Sequence, residues 1–449
     1  MSNPNKTRLL FITSVALGIL LNPLNSSMIA VALSRIQNQF SLSFTEASWL
    51  ISTYYLASGI GQPIMGKLGD AFGLKKVYLI GLIMIAAASF AAPFSPSFGW
   101  LIAIRIIQAF GSSALFPAGM GMIRKSISEN QAQALGVLSI FSSVSAALGP
   151  SIGGFLTHYW DWKAIFLVNF PFVLAAFFLG LFILPKDRRD RSRKVTIDYI
   201  GILLFTMSIL SLLLFLLSWE SGVNWVELLV SLVFIFAFYK YESKQSQPFI
   251  NVLALKKNLN MSYVYVQFIL VNVIFYSIFF GVPLYLQNVR QFDSKTTGLI
   301  MLSVAGFGII VSPLAGRWID KRGSKPALIA GTSCMITGSL LLLTIQGSSS
   351  AAWIFFSLSV LGLSNGFNNL GLQTALYTFV PPAETGTASG LFMTSRYIGT
   401  IFSSSLLGIL FGKQFTTSHF HVMAIICVII GILIMLLTIR MPQLQKQSQ

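Results

Sequence analysis

Gly66-Lys67-Leu68-Gly69-Asp70-Ala71-Phe72-Gly73-Leu74-Lys75 returns later in the chain as Gly316-Arg317-Trp318-Ile319-Asp320-Lys321-Arg322-Gly323-Ser324-Lys325. Gly, a basic residue, Asp, Gly and Lys recur in register at an offset of 250 positions. Each copy is a short charged loop between two long apolar runs. The chain therefore reads as one helical unit used twice, with the loop in the same place in each copy.

Outward from these loops the sequence is apolar. Of its 449 residues, 55% are hydrophobic and 10% charged, where a soluble chain carries about 25% charged residues. The spacing of apolar runs and breaks predicts fourteen transmembrane helices at 10–32, 45–66, 76–94, 99–122, 133–157, 163–184, 196–218, 222–241, 261–288, 297–317, 326–346, 351–374, 386–411 and 420–440. Each is near the ~20 residues that span a bilayer. The expected class is an all-α integral membrane protein in three parts: a six-helix bundle over 1–185, basic linkers with two inserted helices over 186–257, and a second six-helix bundle over 258–449.

A net charge of +17 raises the question of nucleic acid, and the placement of the basic residues answers it. Most Lys and Arg, among them Lys67, Lys75, Arg124, Lys186, Lys244, Arg317, Lys325, Arg396 and Arg440, are assigned to loops on one side. Arg35, Lys163, Arg290, Lys295 and Lys413 fall on the other. Positive loops are retained in the cytoplasm, so the charge is a topology signal: a multi-pass protein of the cytoplasmic membrane, both termini inside, with no nucleic-acid partner. Arg105 is the one basic residue assigned to a helix interior. The start of the chain, with Lys6, Arg8, an apolar stretch over 9–21 and Ala30-Val31-Ala32, has the outline of a secretory signal. Its apolar run continues too far, and its removal would break the repeat, so it is read as the first span.

Several chemistries are excluded or disfavoured. Cys334 and Cys427 lie in apolar runs without C-x-x-C spacing, which encodes neither a disulfide framework nor a zinc site. His158, His419 and His421 fall near outer helix ends, and no metal or acid–base cluster forms around them. No G-x-x-x-x-G-K-[ST] loop is present, so ATP bound to this chain is not the energy source. No nucleophile and base share a depth, an enzyme is not expected, and no cofactor is implied.

With these residues in view, the chain resembles the major facilitator superfamily, in its fourteen-helix drug:proton antiporter branch of multidrug and tetracycline efflux type. The G-x-L-x-D-x-x-G-x-K loop matches at Gly66, Leu68, Asp70, Gly73 and Lys75. The fourth-helix pattern matches at Leu101, Arg105, Gln108 and Gly111, with Ala109 replacing a glycine. The fifth-helix antiporter pattern matches at Gly136, Gly149, Pro150, Gly153 and Gly154, with Ser145 replacing another. Trp49, Tyr54 and Pro63 fit the second helix. The first-helix pattern departs: it normally opens with Leu-Asp and here reads Leu24-Asn25.

The resemblance implies the major facilitator fold, two six-helix bundles plus a two-helix insert, and a monomeric secondary transporter that exports amphiphilic, drug-like molecules by proton antiport with alternating access. It implies a gate at Gly66, Asp70, Gly73, Lys75 and Arg124 and, in the second copy, at Gly316, Asp320 and Gly323. The start of the eleventh core helix, Gly386-Thr387-Ala388-Ser389, is the implied partner of Asp70, since a carboxylate is favoured at a helix N-terminus. Coupling is implied at Arg105, Gln108, Gly149, Pro150, Gly153 and Gly154; the competing reading is helix packing for the glycines and Pro150, and a structural arginine bonding helix carbonyls for Arg105. The polar residues Asn25, Tyr54, Gln62, Asn169, Gln267, Asn272, Tyr276, Asn365, Asn368, Asn369 and Gln373 lie within spans, where polar groups turn inward. They are candidates for a substrate cavity or, equally, for bonds between helices. No Asp or Glu falls in the middle of a span, and a membrane carboxylate is the usual proton carrier and counter-charge for cations. Neutral, zwitterionic or anionic cargo is therefore favoured. A lipid or metabolite exporter or facilitator with little proton coupling, and a membrane sensor without turnover, stand as alternatives.

Overall fold

The computed structural model describes residues 4–127, 129–187, 197–219, 222–411 and 416–442, and every regular element among them is helical. In chain order these are α1 (Pro4–Ile19), α2 (Leu21–Phe40), α3 (Phe44–Phe72), α4 (Leu74–Ala91), α5 (Phe98–Ser126), α6 (Gln131–Trp160), α7 (Ala164–Leu167), α8 (Asn169–Ile183), α9 (Tyr199–Ser218), α10 (Trp225–Glu242), α11 (Val252–Lys257), α12 (Leu259–Asn288), α13 (Ser294–Arg322), α14 (Ser324–Leu342), α15 (Ala351–Phe379), α16 (Thr385–Phe411) and α17 (Thr417–Arg440). Single 3-10 turns stand at Ala92–Phe94 and Pro382–Glu384.

Each expected span falls on a helix. Among the described residues, nine helical stretches are long and apolar enough to cross a membrane, two of them, Arg8–Ile29 and Ala164–Ile183, running through the α1–α2 and α7–α8 breaks. Helices α3, α15 and α16 are not in that group, because Gly, Ser, Thr, Asn and Gln dilute their apolar runs. The first span differs from expectation. Instead of one helix over 10–32 there are two, α1 and α2, with a break at Leu20. Pro23 has no N–H to donate to the carbonyl four residues back, which interrupts the ladder there.

The repeat extends well beyond the loops that reveal it. Ser43 caps α3 with a reciprocal Glu46 bond, its Oγ accepting from the Glu46 N–H at 3.2 Å. Asp293, 250 positions on, caps α13 by accepting from the Thr296 N–H at 3.3 Å. Pro63 and Pro313 lie inside the two helices at the same offset. Both helices end at a glycine with positive φ, Gly73 at 114° and Gly323 at 82°. A side chain is strained there, and glycine turns the chain at once into α4 or α14.

The helices group into two compact units, Met1–Thr196 with Pro381–Thr394, and Ile197–Val380 with Ser395–Gln449. In the first, α3 and α4 pack on α5, and α2 packs on α6. In the second, α13 and α14 pack on α15, and the inserted pair α9 and α10 pack on each other. The rings of Trp219 and Phe402 meet at 5.4 Å, attaching the insert to this unit. Glu242, the last residue of α10, is buried where a side chain on Gly201 would strike its carboxylate.

One assignment is corrected. Arg396 is not in a loop but well inside α16, half-buried, with Nε and Nη2 donating to the Tyr276 hydroxyl at 3.0 and 2.8 Å. Arg105 is therefore not the sole basic residue within a helix. Arg396 falls within the expected span 386–411, and the Tyr276 ring of α12 meets its guanidinium there.

Candidate functional site

The first unit contains the contact that the repeated loop implies. Asp70 lies past the apolar run of α3, outside the membrane span and in the helix's last turn. Its Oδ1 accepts from the Gly386 N–H at 3.0 Å, and its Oδ2 accepts from the Thr387 N–H at 2.7 Å and the Thr387 hydroxyl at 2.9 Å. Those N–H groups belong to the first turn of α16 and have no intrahelical partner. A carboxylate there satisfies them and meets the positive end of the helix dipole.

Glycine makes this approach possible. A Cβ on Gly66 would collide with the Gly386 carbonyl, and one on Gly390 with Gln62 and Pro63 of α3. Farther along, the Thr394 hydroxyl donates to the Gly59 carbonyl at 2.6 Å. Gly386, Gly390 and Thr394 are one α-helical turn apart and form the stripe of α16 that lies on α3. Arg124 does not bond Asp70 directly. Its Nη1 donates to the Thr385 hydroxyl at 2.8 Å and the Pro381 carbonyl at 3.4 Å, holding the turn that leads into the same helix. Burial pushes the Asp70 carboxyl up to about 6, although the bonds from Thr387 and Gly386 pull it down.

Lys75, grouped with the gate by its motif, sits elsewhere. Its Nζ donates to the Leu181 and Leu184 carbonyls at 2.7 and 2.9 Å, at the end of α8. Lys325 does the same at the end of α17, donating to the Ile439 and Met441 carbonyls at 2.7 and 2.6 Å. Asp187 completes the first pair by accepting from the Lys75 and Lys76 N–H groups at 3.1 Å each. A cation on orphan C-terminal carbonyls and an anion on orphan N-terminal amides tie α4 to the end of α8. Lys75→Met and Lys325→Met are each expected to lower thermal stability by about 1–2 kcal/mol, read as a melting shift of similar size in both. Lost transport with an unchanged melting temperature would instead assign Lys75 to gating.

Deeper in the first unit, five helices bring polar groups around Arg105 of α5. Its Nη1 donates to Gln108 Oε1 at 2.7 Å, and its guanidinium carbon lies 4.2 Å above the centre of the Tyr54 ring. Gln108 Nε2 donates to Asn25 Oδ1 and Ser89 Oγ, both at 3.2 Å. Asn169 Nδ2 reaches the same two atoms at 2.8 and 3.2 Å. Asn25 in turn donates to the Leu21 carbonyl at 2.8 Å. Tyr54 shares a 3.0 Å bond with Ser112, to which Asn22 also donates at 3.1 Å. Among the described residues no carboxylate pairs with Arg105, and its Nε and Nη2 are buried without a hydrogen-bond partner.

The remaining candidates divide. In the first unit, Gln62 is buried on α3. Gly149 and Gly153 of α6 lie against Ser27 and Met28 of α2, the geometry of close helix packing, while Gly154 lies near Val31. The Pro150 side chain lies outside the described residues. In the second unit, Gln267 accepts from the Thr438 hydroxyl at 3.0 Å and donates to Met441 Sδ at 3.3 Å, at the end of α17. Asn368 turns to α14, accepting from the Thr332 hydroxyl at 3.3 Å. Asn272 donates to the Phe268 carbonyl of its own helix at 2.7 Å, beside Gly399. Gln373 donates to the Tyr377 hydroxyl at 3.4 Å. Asn369 donates to Asn365, which borders a small, largely apolar pocket with Ile274, Phe275, Val304 and Leu361. Tyr276, under Arg396, stands among the rings of Phe275, Phe279 and Phe280 at 5.2–6.3 Å. Gly316 and Asp320 lie in the last two turns of α13 and Gly323 caps it, as Gly73 caps α3.

Sequence reading passed over Ser89, Ser112 and Arg396. Ser89 and Ser112 look like fillers in apolar and small-residue runs, and only the packing of α2, α3, α4, α5 and α8 shows what they bond.

Comparison with known proteins agrees with this architecture. A sequence profile of the Major Facilitator Superfamily matches residues 15–404. The chain is 47% identical, over 99% of both sequences, to an uncharacterized MFS-type transporter, YwoD, of Bacillus subtilis. It is 28% identical to the multidrug resistance protein Stp of Mycobacterium tuberculosis, over 90% of this chain and 76% of that one. The crystal structure of the human organic anion transporter MFSD10 superposes with a TM-score of 0.69 at 15% identity, covering 96% of this chain and all of the other. The duplicated loop, the all-helical units and the profile match converge on one statement: this multi-pass membrane chain belongs to the Major Facilitator Superfamily and is a transporter, not an enzyme.

Proposed function

We propose that the protein is a secondary active transporter that exports amphiphilic, drug-like molecules across the cytoplasmic membrane in exchange for protons. The observation that carries this reading is Asp70 seated on the first turn of α16. Alternating access needs a contact that closes one side and then releases it. A carboxylate on exposed helix amides, held by glycine-to-glycine approach, is a contact of that kind. Similarity to a relative named for multidrug resistance supports drug-like cargo. On this reading the chain works as a monomer and crosses the membrane fourteen times as two six-helix bundles, 1–185 and 258–449, with a two-helix insert between them and both termini in the cytoplasm.

One observation favours a second reading, export with little or no proton coupling. Asn25 stands where the family pattern carries an acid, and the amide cluster around Arg105 holds no carboxylate. A panel of fluorescent compounds in inverted membrane vesicles separates the two. Accumulation that collapses with an uncoupler supports antiport, accumulation that ignores it supports the facilitator, and no accumulation above vesicles lacking the protein defeats both. A cysteine at Asn224 is expected to react with an impermeant reagent from outside the cell, and one at Lys186 only after permeabilisation. The reverse pattern overturns the orientation.

A further inference from the structure

Arg105 is almost wholly buried, at 1% exposure, and carries a charge that no carboxylate among the described residues pairs with. Burying a guanidinium without a counter-charge is costly. The Tyr54 ring offsets part of this by cation–π attraction, and Gln108 takes one N–H with its amide oxygen. What remains is a specific pair of donors. Nη1 is occupied, whereas Nε and Nη2 are both without partners. These two N–H groups form one side of the planar guanidinium, an edge whose parallel donors match the two oxygens of a carboxylate.

The surrounding amides supply polarity and no competing anion. Gln108 and Asn169 both donate to Asn25, and Asn25 spends its own N–H on the Leu21 carbonyl. An aspartate at position 25 would put a negative charge into this chain of bonds. With asparagine there, the positive potential at Arg105 is left for something that arrives from outside.

We infer that the Nε and Nη2 edge of Arg105 docks a carboxylate group of the cargo, so that the transported class is amphiphilic monocarboxylates. This assignment rests on the transporter reading for the word cargo, but the binding site stands or falls on its own measurement. The free edge fits two oxygens better than a single ion, and chloride is the alternative source of negative charge.

The test is thermal melting of the purified full-length protein with sodium benzoate, its neutral isostere benzamide, or sodium chloride. Benzoate is expected to raise the melting temperature with saturation, while benzamide does not. Arg105→Gln is expected to abolish the benzoate shift. Should that variant fail to fold, Asn25→Asp decides, because an internal anion in a low-dielectric site competes with the incoming one; a roughly tenfold or greater loss of benzoate affinity is expected. The inference is overturned by equal shifts from benzoate and benzamide, by an undiminished benzoate shift in the variant that folds, or by saturation with chloride alone. Benzoate binding without vesicle accumulation would leave the site standing and defeat the proposed export function. Accumulation without benzoate binding would do the opposite.

Discussion

Asp70→Asn is expected to reduce transport at least about tenfold while membrane abundance, read by immunoblot, stays at the wild-type level. The carboxylate accepts three bonds with two oxygens, two of them from backbone N–H groups of α16. An asparagine has one acceptor oxygen, so its NH2 must face one of those N–H groups. At least one charge-assisted bond is lost, worth about 1.5–3 kcal/mol, and about 1.4 kcal/mol is a tenfold effect. The substitution is nearly isosteric, which keeps the packing of Gly66 on Gly386 intact and isolates the electrostatic contribution. Wild-type efflux by this variant would remove Asp70 from the gate.

The same residue sets a pH dependence. Seating raises the Asp70 carboxyl from the ordinary carboxylate range to about 6 through burial. The seated form then binds more protons than the released one. Its stabilisation by protonation is complete below about pH 4, declines as pH rises, and is lost above about 6. A buried cysteine at Ala388, in an otherwise cysteine-free protein, reports release by its reactivity normalised to an exposed cysteine. Normalised reactivity is expected to rise between pH 5 and pH 7 in the wild-type background and to stay flat in Asp70→Asn.

Gly390→Val is expected to have an effect of similar size by steric means. The position faces the Gln62 carbonyl and Pro63 Cα with no room for a side chain. Valine would lift the first turns of α16 off α3, breaking the Thr394 to Gly59 bond and carrying the Gly386 and Thr387 amides away from Asp70. Overpacking of this kind costs about 1–3 kcal/mol, and transport is expected to fall roughly tenfold with insertion unchanged. Gly298→Ala, where nothing lies within 4 Å, is the control for glycine replacement and is expected to be silent. Equal activity of Gly390→Val and Gly298→Ala would show that α16 does not work against α3.

The turn that ends α3 was legible in sequence because its signals are local, whereas the α16 partner of Asp70, more than three hundred positions on, came only from the family resemblance. Gly66, Asp70 and Gly73 announce a helix end and a tight turn within eight positions, and the second copy confirms the pattern. Lys75 belongs to the same motif, yet its work is done at carbonyls more than a hundred positions away. The polar set within the spans was harder to read. A Gln or Asn in a span must turn from lipid, but whether it meets a cavity or another helix depends on helix rotation. Gln267 and Asn368 meet Thr438 and Thr332. Asn365 borders a pocket. Arg396 shows the limit from the other side: it falls within the expected span 386–411 yet was grouped with the loop charges, and only the packing shows its partner Tyr276 on α12.

The sequence by itself determined that this is a duplicated helical membrane protein and roughly where its spans lie, though not that the first is broken at Leu20. Those properties follow from the apolar length needed to cross a bilayer and from caps and glycines acting over one turn. It also determined that the first span lacks an acid, since Asn25 is a matter of identity alone. The tertiary structure decided which partners those residues have. Asp70 finds amides more than three hundred positions away, and Arg105 receives one amide and one ring while its other edge stays open. The physical reason is that a helix commits its backbone polar groups to near neighbours but leaves side-chain partners to whichever helix packs beside it.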